Sequence, residues 1–205
     1  MIAQTYQCFA YNGAVIDSRI VRPGPHAHPD WEDFGKQVGL FRDWTVQNDF
    51  DFQTNSSLSI VVFGINDVKN MAREHPREND TANIIALAAS VQRNMAYLYS
   101  LGLRNFLLSP STPIDLTPQA TLSSKGGFED RFLTKQLNER LNALLRTLSQ
   151  RFEQAHPGAN VMYFDQDAYI RIIYEWPELF GVTDIKRFMF MLKGEMLDRG
   201  RVGFL

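Results

Sequence analysis

The chain has 205 residues, 44% of them hydrophobic and 12% aromatic, with a formal charge of −2. That length suits one α/β domain with a proper core and is hardly enough for two. The weak charge gives no reason to expect nucleic acid or an anionic membrane as partner, and no apolar run reaches the roughly 18 residues that span a bilayer. The single Cys8 excludes an internal disulfide and a cysteine-rich metal site, and reads as a small hydrophobe. Met1–Gln7 has no basic region and no long apolar core, so it does not read as a signal peptide. No repeat or low-complexity segment is present.

Thr5 to Asp17 reads as a short strand, a tight turn at Asn12-Gly13, and the start of a helix or extended loop. Residues 22–33 hold three prolines and a glycine and read as a loop. His26, His28 and Asp30 within it could suggest a metal site, but the plainer reading is a solvated connection without a third histidine. Trp31 to Trp44 is compatible with a helix, and Asn48 to Ser57 is a polar link.

Ser59-Ile-Val-Val-Phe-Gly-Ile-Asn-Asp-Val68 carries the strongest signal. Its β-branched and aromatic run suits a parallel strand covered on both faces, ending in a loop at Gly64. In open α/β sheets the ligand crevice lies beyond the carboxyl ends of the strands. The neutral amide of Asn66 there can donate to a developing oxyanion. Equally, Asn66 and Asp67 can make an Asx turn and cap the next helix.

Lys69 to Asp80 is charged and polar, and His75-Pro76 within it reads as surface. Ile84, Leu87, Val91, Met95 and Leu98 recur at helical spacing, predicting a helix over 82–101 that Gly102 terminates. Leu103 to Leu108 is a second strand, closed by a Pro-rich loop. Strand, helix, strand argues for a parallel crossover. A long helix is expected over 128–155, striped by Leu137, Leu141, Leu145, Leu148 and Phe152 and stopped by His156-Pro157-Gly158. Glu153 and His156, one turn apart, could form a metal or acid/base pair. The plainer reading places His156 in the last helical turn, where a cation suits the macrodipole. Asn160 to Asp165 is a third strand and Ala168 to Tyr174 a short helix. The tail from Ile185 forms no clean stripe.

These ordered signals resemble the SGNH hydrolases, also called GDSL lipases or esterases, and especially the fungal acetylesterase-type carbohydrate esterases. Tyr11-Asn-Gly-Ala14 is similar to the family's second block, and Gly64-Ile-Asn-Asp67 to its third. Leu137-Asn-Glu-Arg-Leu-Asn142 and Trp176-Pro177 to Thr183 resemble later segments. The resemblance implies a flavodoxin-like α/β three-layer sandwich with a parallel sheet of order 2-1-3-4-5. It implies an oxyanion hole built from the Gly13 N–H and the Asn66 amide, with Gly64 and Asp67 supporting the loop. It also implies a small-molecule or carbohydrate ester as substrate, and no cofactor.

Two family blocks have no counterpart. No Gly-Asp-Ser supplies a nucleophile, and no histidine follows an Asp at D-x-x-H spacing. Ser18, after Asp17, is the only nearby Asp-Ser and reads poorly as a displaced nucleophile. The expectation is a partial domain over residues 1–184, lacking its first central strand, with a divergent tail over 185–205. Family members are often secreted, but this chain gives no address. Three functional readings follow: an ester hydrolase incomplete as written, a non-catalytic protein that keeps the crevice for a carbohydrate or another ligand, or an unrelated flavodoxin-like anion binder. The lack of a Gly-rich phosphate loop counts against the third.

Overall fold

The structure is a computed structural model. It describes residues 6–24, 28, 30, 32–49, 56–74, 79–117, 120 and 131–185. Three strands form one parallel sheet in the order β1-β2-β3: β1 Leu58–Val62, β2 Asn105–Ser109 and β3 Asn160–Tyr163. Among the described residues, five α-helices accompany it: α1 Phe34–Gln47, α2 Ile65–Glu74, α3 Asp80–Ser100, α4 Arg131–Ala155 and α5 Gln166–Glu175. A parallel sheet joined through helices is the α/β class expected from the strand–helix–strand alternation.

The helices form where the apolar period and the terminal signals agree. Asp33 caps α1 by accepting from the Lys36 N–H at 2.9 Å. The stripe Ile84, Leu87, Val91, Met95 and Leu98 is buried along α3, which ends at Gly102 with φ 107°. Leu137, Leu141, Leu145, Leu148 and Phe152 are buried along α4. These two stripes share one core with Val61, Phe106 and Leu108 of the sheet. The Phe106 and Phe152 rings meet edge to face at 5.6 Å. No helix among the described residues is long and apolar enough to cross a membrane.

The structure differs from the sequence reading at four points. Residues 6–11 form no strand; the segment turns at Asn12-Gly13, and Val15 makes an isolated parallel bridge to Asp33. The polar stretch after Val68 carries no predicted element, and His75-Pro76, read as surface, lies outside the described residues. Up to Glu74 the stretch continues helix α2, which begins at Ile65 and buries Val68, Met71 and Ala72. Its buried side also includes the polar Asp67 and Asn70, which blurs the apolar period. The helix expected from Trp31 starts at Phe34, because Asp33 is the cap. Finally, among the described residues β1 is covered on one face only: Val61 is buried, whereas Leu58, Ile60 and Val62 are exposed. His26, the 121–130 stretch and the tail beyond 185 lie outside the described residues.

Candidate functional site

The turn at residues 11–16 and the start of α2 meet beyond the carboxyl end of β1. Gly13 has φ 84°, a left-handed conformation that glycine adopts without strain. Its N–H donates to no acceptor among the described residues. Asn66 donates from Nδ2 to the Ala14 carbonyl at 2.9 Å. Asp67 accepts from the Ile16 N–H at 2.9 Å through Oδ1. Adjacent side chains in the first turn of α2 therefore clamp the same three-residue segment. The two sequence-predicted donors, Gly13 and Asn66, are brought together by this clamp. Asn66 spends one amide hydrogen on Ala14 and keeps the second.

Asp67 does serve the start of α2, its carboxylate reaching back to the Gly64 N–H, whereas Asn66 turns its side chain to Ala14 instead. Both are inside α2, whose backbone closes from the Val68 N–H to the Gly64 carbonyl at 2.9 Å. Gly64 itself has φ 112° and lies so close to Leu141 and Ser111 that a Cβ would stand 3.1 Å from each. The glycine thus lets β1 end against α4 and the loop after β2.

Asp67 is completely buried, and its Oδ2 has no hydrogen-bond partner. Burial raises its pKa to about 7, against the opposing pull of the Ile16 and Gly64 N–H groups. The folded chain therefore holds this proton where the unfolded chain has released it. Asp67 favours folding at low pH, and that contribution drains away as pH rises from about 4 to about 7. Asp17 acts in the opposite sense. Arg19 grips its carboxylate, helped by Ser90, and holds its pKa at about 2. That stabilisation is present above about pH 4 and is lost as pH falls toward 2. Asp67→Asn retains an acceptor for Ile16 and removes the titration. Urea midpoints measured between about pH 5 and 7 should then lose a slope of up to about 1.4 kcal/mol per pH unit. An unchanged slope would assign the pH dependence to another group.

The remaining chemistry-bearing residues are placed apart from this crevice or tied up. Ser18 donates to Asp33 at 2.6 Å, and that carboxylate also caps α1. His156 stacks on Phe152 at 3.9 Å, and its Nδ1 lies 2.9 Å from the Phe152 carbonyl. It sits at the end of α4 nearest the start of β3, where Glu153 accepts from the Val161 N–H. Glu153 and His156 thus make separate structural contacts at the amino end of the sheet. His28 is exposed and accepts from the Asp30 N–H.

Sequence reasoning missed a second polar cluster at the carboxyl ends of β2 and β3. Asp115, 2% exposed, receives two guanidinium bonds from Arg171 at 2.7 and 3.2 Å. Arg171 also reaches Asp167 at 2.8 Å, and Asn138 of α4 donates to Asp167 at 2.8 Å. The i,i+4 spacing of Asp167 and Arg171 was a local signal; the 56-residue separation from Asp115 was not. A further cavity of about 250 Å³ lies between Asp17, Asp33, Ser90 and Arg93, away from Asn66.

The fold is an open parallel α/β domain in which Asn66, beyond the carboxyl end of β1, is bonded to the segment that follows Gly13. The chain belongs to the GDSL-like lipase/acylhydrolase family, whose model matches residues 3–189. It is similar to a GDSL esterase/lipase of Arabidopsis thaliana, 27% identical over 188 residues. That match covers 86% of this chain and 48% of the relative, so the chain spans about half the length of the curated protein it matches.

Proposed function

We propose that this chain carries the oxyanion-binding part of a GDSL-type ester hydrolase, with the Gly13 N–H and the Asn66 amide as donors. Gly64 and Asp67 hold those donors in place. The observation that carries the reading is the Asn66–Ala14 bond, which fixes the amide beside an unoccupied glycine N–H. Donors held before the reaction stabilise charge without reorganising as it develops. The nucleophile and base of the family's reaction belong to a Gly-Asp-Ser strand and a D-x-x-H segment supplied by polypeptide other than these 205 residues. The strand would pair with the outer edge of β1, the position next to the third strand in a 2-1-3-4-5 sheet. The substrate class is a small acyl ester, of the acetylated-carbohydrate kind.

A second reading is a ligand-binding protein without turnover. It is favoured by the engagement of Ser18 with Asp33 and by the placement of His156 far from Asn66. Two measurements separate these readings. Acetate, a carboxylate mimic of the oxyanion, is titrated into the ¹⁵N-labelled chain. Shifts confined to Gly13 and the Asn66 side chain, and lost in Asn66→Ala, are the expected result; shifts elsewhere with Gly13 silent would sink the oxyanion assignment. Hydrolysis of 4-nitrophenyl acetate by the chain alone is expected at no more than roughly 10³–10⁴-fold over water, the residue left by oxyanion binding without a triad. No turnover with intact acetate binding would favour the second reading.

A further inference from the structure

A cavity of about 250 Å³ lies between the turn after Ile16, the first turn of α1 and the middle of α3. Helical spacing brings Ser90, Arg93 and Asn94 to one face of α3, against that turn of α1. Gly35 leaves an open spot on the cavity wall. A Cβ placed on it would stand 3.4 Å from Asp33 Oδ1, 3.6 Å from Asn94 Oδ1 and 3.9 Å from Asn94 Nδ2. A carboxylate acceptor, an amide acceptor and an amide donor therefore border one small space. No hydrogen bond ties the Asn94 side chain or the Gly35 N–H to any described residue. Arg93 makes only a 3.5 Å contact with Asp17, and its side chain is 59% exposed. Most of its five N–H groups stay unspent. Gly35 has no positive φ, and a Cβ there would make ordinary contacts. Alanine suits a helix better than glycine, so neither backbone nor packing calls for glycine at this position.

We propose that this cavity binds a neutral polyol, a single sugar ring that sets two neighbouring hydroxyls against Gly35, Asn94 and Arg93. A hydroxyl both donates and accepts, which is what the mixed border of the Gly35 spot requires. Neighbouring hydroxyls on a ring match the paired polar atoms of a carboxylate, an amide and a guanidinium. Charge disfavours an ion, because Arg19, Lys36 and Arg93 are balanced around the cavity by Asp17, Asp33 and Glu32. A metal cation would have to strip Asp17 of its Arg19 and Ser90 donors, which bond it at 2.7 to 3.1 Å. An anion would meet the Asp33 carboxylate, which is held in place by Ser18 and by the Lys36 N–H at the start of α1. The volume is a little under the roughly 300–1,000 Å³ of pockets that take drug-sized molecules, which limits the guest to about one ring. The cavity includes neither Gly13 nor Asn66, so the proposal stands apart from the ester-hydrolase reading.

The methyl glycosides of glucose, mannose and galactose, titrated separately into the ¹⁵N-labelled full chain, provide the test. At least one should give saturable shifts of the Gly35 amide, the Asn94 side-chain amide and the Arg93 Nε–H, with a millimolar Kd. Gly35→Ala fills the spot without strain; it should abolish those shifts and keep or raise the urea midpoint. Arg93→Met should weaken binding by about tenfold or more. Arg42→Met removes an exposed arginine of α1 outside the cavity and should leave the affinity unchanged. Should Gly35→Ala not fold, Arg93→Met carries the test, since it leaves Asp17 bonded to Arg19 and Ser90. No saturable shift with any of the three glycosides far above millimolar concentration overturns the proposal. So does unchanged affinity in a folded Gly35→Ala or Arg93→Met variant. Shifts centred on Gly13 instead of Gly35, or saturation by inorganic phosphate at lower concentration than by any glycoside, overturn it as well.

Discussion

Gly64→Ala is expected to lower the stability of this chain by about 2–4 kcal/mol, one of the two strongest effects anticipated here. The φ of 112° at Gly64 lies outside the regions that a residue with a Cβ adopts comfortably, a strain of about 1–3 kcal/mol. The added carbon would also stand 3.1 Å from Leu141 Cδ2 and 3.1 Å from Ser111 Cβ. The leucine methyl can swing aside; the serine Cβ is fixed to the backbone beyond β2 and must take its loop with it. Gly158 separates the two contributions. It has φ 78° and nothing within 4 Å of a built Cβ, so Gly158→Ala carries strain without crowding. Urea unfolding of both variants gives the difference. Equal losses would mean that the approach of β1 to α4 tolerates a methyl group and that glycine is needed only for its φ. The functional consequence follows from position: Asn66 is two residues on, and a displaced α2 start moves its amide away from Ala14.

Arg171→Met is expected to lower stability by about 2–4 kcal/mol, because it leaves Asp115 charged and buried without its guanidinium. The figure sits below the range for a wholly buried pair, since the Arg171 side chain is 28% exposed and solvent screens part of the interaction. Arg171 joins three elements: Asp115 after β2, Asp167 on its own helix α5, and through Asp167 the Asn138 amide of α4. Burial lowers and the two carboxylates raise its affinity for the proton, and the net direction is upward. The double variant Asp115→Asn/Arg171→Met removes both charges and should recover part of the loss. A double-mutant cycle that finds no coupling would reassign the effect to lost packing of the arginine stem.

Both effects arise where the chain folds back at the carboxyl end of the sheet. The first concerns how closely backbone approaches backbone, the second how charge is carried into a part-buried junction. Gly64 sets the start of α2 that carries Asn66, and Arg171 ties the loop after β2 to α5. Neither residue is expected to touch an ester. Both are expected to set how well the donors are held.

The amino-acid sequence by itself determined the helices α3 and α4, the three strand cores and the turn at Gly13. Each of these rests on local regularity: a 3.6-residue apolar period, a β-branched run, or a glycine at a stop. It also put Gly13 and Asn66 forward as candidate donors, through the resemblance of short motifs to the GDSL family. Tertiary structure alone decided the rest. The apolar run of β1 reads identically whether one face or two are covered, since hydrophobicity records a preference for burial and not the presence of a neighbour. Helix α2 was hidden because its buried side includes the polar Asp67 and Asn70 beside Val68, Met71 and Ala72, which blurs the apolar period. The roles of Asp67 and Asp115 were invisible for a different reason. Their partners, Ile16 and Arg171, lie 51 and 56 residues away, and no local pattern reports a hydrogen bond that only the assembled fold can close.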